Sequence, residues 1–203
     1  MRRLREVQAA YATELADSDY PPQGQWTYED YACLPDDGWK YEVMKGRLYI
    51  TPAPAPQHQR VILRLSQQLT TYVDKRKLGE IFIAPVDVIL PNALGAPVQP
   101  DIFLVNAEDA EIVGEKYVEG VPALVVDVLS PSNWLDDRRT KLEIYAEAGV
   151  SEYWIVDPRA RTVEVFTLAD QGYELLGRYA VGEVASSRLL DGFAVAVDAI
   201  IPA

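Results

Sequence analysis

The chain has 203 residues, 49% of them hydrophobic and 25% charged, a composition that suits one domain with a real core and excludes global disorder. The formal net charge is −12, which opposes a general attraction to phosphate backbones unless carboxylates are offset locally by a bound cation or by basic residues. No apolar run approaches the roughly 20 residues of a membrane helix, and the N-terminus carries no secretory pattern, so a cytoplasmic location is expected.

The first 25 residues mix charge with alanine and end in the turn-rich DSDYPPQGQ. Leu4, Val7, Ala10 or Tyr11, and Leu15 recur at helical spacing, which predicts an amphipathic arm used for packing or dimer contact. Residues 26–203 form the expected main domain. Thr27 followed by Asp30 predicts a capped short helix through Cys33. Cys33 is the only cysteine, so no intrachain disulfide or Cys-rich zinc site is possible, and it reads as a small packing residue.

YEVM and RLYI alternate like strands around a Lys45-Gly46 turn, and TPAPAP interrupts any ladder. Val61, Leu65, Leu69 and Val73, with Ile62 and Tyr72 beside them, predict a long amphipathic helix over 57–77, stopped by Gly79. EIFIAPVDVIL and QPDIFLV, separated by PNALGAP, predict a central hairpin. Residues 106–120 are acidic and polar, as a surface loop would be. VPALVVDVLS is almost continuously apolar, as a strand covered on both faces would be.

PSNWLDDRRTKLEIYAEAG predicts a helix with Asp136 or Asp137 near its cap. Leu142, Tyr145 and Ala146 lie on its buried face, and Gly149 is its stop. SEYWIVD and TVEVFTL predict a hairpin, and GYELLGRYA and FAVAVDAII add strands. The fold class is therefore α/β, or α+β, with a mixed central sheet flanked by at least two helices.

Gly-rich phosphate loops and GxGxxG are absent. His58 is the only histidine, so a His-rich zinc site is excluded and a Ser-His-Asp triad is disfavoured. What stands out is a set of carboxylates in strand-like segments: Glu42, Asp87, Asp101 and Asp127. A buried carboxylate is costly unless paired or bound to a cation, so several on neighbouring strands are tolerable if they share a hard metal. Taken one at a time, each is more simply read as facing solvent or meeting an arginine, except Asp127, whose neighbours are apolar on both sides. Trp134 and Trp154 read as packing residues in preference to base-stacking platforms.

YEVMKGRLYITPAPAPQHQRV, PDIFLV, VVDVLSPSN and DDRRTKLEIYAEAGVSEYWIVDP together resemble the bacterial Uma-type, restriction-endonuclease-like family of the PD-(D/E)XK nuclease superfamily. The resemblance runs from about Thr27 to the end of the chain. It implies a restriction-endonuclease-like core. It also implies that Pro100-Asp101 is the PD pair, that Asp127 fills the position where relatives more often have Glu, and that Glu42 is the family's early glutamate. Position 129 is Leu, so the motif lysine falls to Lys141 on the following helix. Asp101, Asp127 and Glu42 are then the expected ligands of Mg²⁺ or Mn²⁺, with Lys141 as the catalytic cation.

Three residues have supporting roles in that scheme. Asp87 would stand near the metal. His58 would contact phosphate or the metal's surroundings, or be a plain helix-start residue. Arg138, in the first turn of its helix, would meet a phosphate or be solvated. Lys141 could alternatively form an exposed pair with Asp137. The expected activity is metal-dependent hydrolysis of DNA phosphodiesters by a homodimer; the alternative is a catalytically silent module that binds DNA or protein.

Overall fold

The computed structural model describes residues 20–35, 37–51, 53–91, 97–130 and 134–201. The predicted arm helix, the Asp136 and Asp137 cap and the Trp134 side chain lie outside the described residues. Residues 20–26 pack onto the domain: Tyr20 stacks on Trp26, and Trp26 N–H donates to Gly46 O. Thr27 and Asp30 cap each other reciprocally at the start of α1 (Tyr28–Ala32), with Cys33 closing it. Cys33 is exposed, so it is a helix-end residue and not the packing residue the sequence predicted.

β1 (Lys40–Met44) and β2 (Arg47–Thr51) form a hairpin. Its two turn residues, Lys45 and Gly46, both take positive φ, as a turn matched to strand twist requires. α2 (Pro56–Arg76) has Pro in its first turn and ends on Lys77 in the left-handed conformation. Gly79 does not stop it, contrary to expectation. Gly79 instead opens β3 (Gly79–Ile83), where a Cβ would lie 2.0 Å from Val105 O. Glycine is needed there for close strand approach, not for helix termination.

The main sheet has six strands in the order β11-β10-β9-β8-β6-β3. They are β3, β6 (Ile102–Asn106), β8 (Leu124–Val128), β9 (Glu152–Asp157), β10 (Thr162–Ala169) and β11 (Gly172–Ala180). β8 and β9 are parallel and are joined by α3 (Trp134–Ala148), the kind of crossover that parallel neighbours need. All other neighbours pair antiparallel.

The predicted central hairpin is split between two sheets. β3 pairs β6 in the main sheet, whereas β4 (Val88–Ile89) pairs β5 (Pro97–Val98) and β7 (Val118–Glu119) in a small one. The APVD segment between β3 and β4, with its proline, cannot continue a ladder. Residues 106–120 contribute a 3₁₀ helix (Ala107–Ile112). The tail forms β12 (Val184–Ser186), β13 (Ala194–Ala196) and a helical turn, α4 (Val197–Ile200), so FAVAVDAII is strand only in its first half.

Alternation along the central strands builds two cores. Val61, Leu65, Leu69 and Val73 of α2 pack on the face carrying Leu104, Val126, Trp154 and Val165, each worth about 1.5–3 kcal/mol on burial. Ile144 and Tyr145 of α3 pack on the opposite face, with Phe103, Val125, Tyr153 and Ile155. Trp154 is thus a core residue, as predicted. Glu152 is fully buried on β9. Its carboxylate accepts from Trp154 Nε1, Ser187 Oγ, and the Arg188 and Leu189 N–H groups, which fixes the loop before β13.

A buried carboxylate and lysine cluster at the end of the sheet

Strand polarity brings the site together. β6 runs antiparallel to β8, so Asp101, just before β6, lies at the same end of the sheet as Asp127 near the end of β8. Asp127 faces the α3 side because its neighbours Val126 and Val128 face α2. Lys141 is three and four residues before Ile144 and Tyr145, so it shares the packed face of α3. Glu42, on β1, is brought in by the adjoining loop: Gln99 N–H donates to Glu42 Oε1 at 2.9 Å.

These four side chains are all buried and meet. Lys141 Nζ lies 3.3 Å from Glu42 Oε1 and 3.3 Å from Asp127 Oδ1. Tyr153 OH donates to Asp127 Oδ2 at 2.9 Å, so the two oxygens of that carboxylate are held from opposite sides. Asp101 Oδ2 accepts from Val128 N–H at 2.7 Å and lies 3.2 Å from His58 Nε2. His58 Nδ1 is buried with no hydrogen-bond partner among the described residues.

Two residues of this cluster went unremarked in the sequence. Lys40 Nζ donates to Gln99 O at 2.6 Å and lies 3.7 Å from both Glu42 Oε2 and Asp101 Oδ1. Its signal was present in KYE, because residues two apart on a strand share a face. Tyr153 could be found only from the β8–β9 register, in which Asp127 pairs with Ile155.

The carboxylates respond differently to these surroundings. Burial pushes the Glu42 carboxyl up, but Lys141, Lys40 and the Gln99 N–H outweigh it and hold its pKa below the usual value. Burial likewise opposes ionisation of Asp101, and there Lys40, His58 and the Val128 N–H prevail, leaving its pKa at about 2. For Asp127 burial wins: Lys141 pulls its pKa down, the Asp101 and Glu42 charges push it up, and the carboxyl stays above its ordinary value.

Asp87 stands one step away. Its carboxylate accepts from Tyr31 OH at 2.8 Å and Gln99 Nε2 at 2.7 Å, so it holds the residue whose backbone contacts Glu42 and Lys40. Arg138 is not free to meet a phosphate alone, since it forms a 2.6 Å pair with Glu164 of β10, a long-range partner that the helix sequence does not reveal. Lys141 does not depend on a surface pair: it points inward to Glu42 and Asp127.

Glu42, Asp101 and Asp127 are acceptor-only oxygen donors from three separate elements, which is the chemistry a hard divalent cation takes. Among the described residues, no three His, Cys, Asp or Glu side chains stand together at ligating separations. Instead the Lys141 ammonium lies against Glu42 and Asp127, and that of Lys40 against Glu42 and Asp101. Three carboxylates thus face two ammonium groups, with His58 beside Asp101.

Comparison with known proteins bears on the fold and the family. The chain resembles in structure a protein from Anabaena variabilis described as a "putative nuclease belonging to DUF820", with TM-score 0.70 and 15% sequence identity over 86% of this chain and 97% of that one. At that identity the likeness establishes the fold. No curated protein matches in sequence. No helix among the described residues is long and apolar enough to cross a membrane. The model of the Uma2 family, described as "Putative restriction endonuclease", matches residues 28–198, and the chain belongs to that family.

Proposed function

We propose that the protein is a cytoplasmic, Mg²⁺- or Mn²⁺-dependent endonuclease that hydrolyses DNA phosphodiester bonds and acts as a homodimer, a form that supplies the two sites needed to cut both strands of a duplex. The observation that carries this reading is the convergence of buried Glu42, Asp101, Asp127 and Lys141 in a chain of the Uma2 family.

Asp101, Asp127 and Glu42 would hold the cation, which when bound lowers the pKa of a water and offsets charge on the phosphate. The remaining work falls to the chain's own groups. Tyr153, by donating to Asp127 Oδ2, fixes the orientation of that carboxylate. Val128 N–H and His58 do the same for Asp101. Lys141, a cation held among anions, orients the attacking water and neutralises a phosphate oxygen as the new P–O bond forms and the bridging P–O bond breaks. The products are a hydroxyl end and a phosphate monoester. Asp87, through Gln99, keeps the loop that carries Glu42's backbone donor in place.

The test is incubation of the purified protein with single- and double-stranded DNA in Mg²⁺, Mn²⁺ or EDTA. Cleavage with either metal and none in EDTA is expected. DNA retention without cleavage under any metal would instead establish a silent binding module, and cleavage undiminished in EDTA would remove the metal from the account.

A further inference from the structure

Lys40 differs from Lys141 in ways that bear on cation binding. Its ammonium sits between two of the proposed ligands, 3.7 Å from Glu42 Oε2 and 3.7 Å from Asp101 Oδ1, and makes a 2.6 Å hydrogen bond to the neutral Gln99 O. The Lys40 side chain is 24% exposed, against 6% for Lys141. Lys40 thus has loose contact with each carboxylate and a path to water, whereas Lys141 is enclosed.

Buried carboxylates without a counter-charge are costly to fold. A dication on the same oxygens would stand a few ångströms from the ammonium and repel it. We propose that Lys40 is an exchangeable counter-ion: it neutralises Glu42 and Asp101 before a divalent cation binds, competes with that cation for their oxygens, and swings toward solvent when the cation takes them. This rests on the metal-dependent reading of the site. Lys40 therefore favours folding before metal uptake and weakens the uptake itself, two effects of opposite sign from one charge.

Calorimetric titration of the full-length protein with Mn²⁺, alongside Lys40→Met and Lys40→Arg, separates these effects. Lys40→Met is expected to melt at a lower temperature without metal and yet bind Mn²⁺ roughly tenfold more tightly, whereas Lys40→Arg stays near wild type. A lysine with a merely structural role would lower melting temperature and Mn²⁺ affinity together. Wild-type binding with equal or weaker binding by Lys40→Met overturns the exchange and leaves the metal site standing. Binding by Lys40→Met alone supports the competition but refutes metal dependence of the native chain, and binding by neither overturns both. Lys40→Gln, which keeps a donor for Gln99 O, carries the same test if Lys40→Met does not fold.

Discussion

Replacing Lys141 by Met probes the buried charge cluster most sharply. The ammonium stands 3.3 Å from Glu42 Oε1 and 3.3 Å from Asp127 Oδ1, and methionine preserves most of the stem's volume while deleting the charge. Glu42 retains Lys40 and the Gln99 N–H; Asp127 retains the neutral Tyr153 hydroxyl. Stripping one partner from a buried pair costs about 3–5 kcal/mol if the other stays charged.

Protonation of Asp127 is the escape. Burial already holds its pKa above the ordinary 3.8. A carboxyl raised in the folded state contributes stability that is present below 3.8 and lost as pH rises through the raised value. Deleting Lys141 raises that value further, so the deficit of Lys141→Met should grow with pH and reach about 3 kcal/mol on the alkaline side. Urea unfolding of both proteins at acidic, neutral and mildly alkaline pH measures it. Adding Asp127→Asn should recover about 1–3 kcal/mol of coupling. A loss under about 1 kcal/mol with no trend in pH would show that Lys141 and Asp127 are not a desolvated pair.

Asp101 supplies the opposite slope. Its pKa near 2 lies below the ordinary 3.8, so its stabilisation, on the order of 2 kcal/mol, is present above 3.8 and lost as pH falls toward 2. Asp101→Asn should flatten the acid limb of a melting-temperature profile. Glu152→Gln turns an amide N–H₂ against two of the four donors and should cost about 2–3 kcal/mol in denaturant titration, with DNA cleavage per folded molecule unchanged. Gly79→Ala places a Cβ 2.0 Å from Val105 O and should lower stability by about 1–3 kcal/mol, read as a drop in melting temperature.

Long periodic patterns were the readable part of the fold. The i, i+4 run from Val61 to Val73 and the apolar LVVDV have only one comfortable burial each, α2 on the sheet and β8 in its middle. Asp127 was readable because it carries a charge where its segment's pattern calls for none, and the resemblance to a family motif linked it to Glu42, Asp101 and Lys141. What sequence hid was long-range: the two-residue strands β4 and β5 have no period to detect, and Arg138 finds Glu164 only once α3 lies on the sheet. Lys40 sat in plain view beside Glu42. Its meaning depends on Asp101, which lies far along the chain and meets it only once β1 lies against the segment carrying Gln99.

The central claim is that Asp127 and Lys141 take part in breaking a phosphodiester bond. Single-turnover cleavage of a labelled DNA duplex with Mn²⁺ should proceed for the wild type and fall by about 10²-fold or more for Asp127→Asn and for Lys141→Met, each confirmed folded by circular dichroism. Equal rates for the wild type and both variants would contradict the claim.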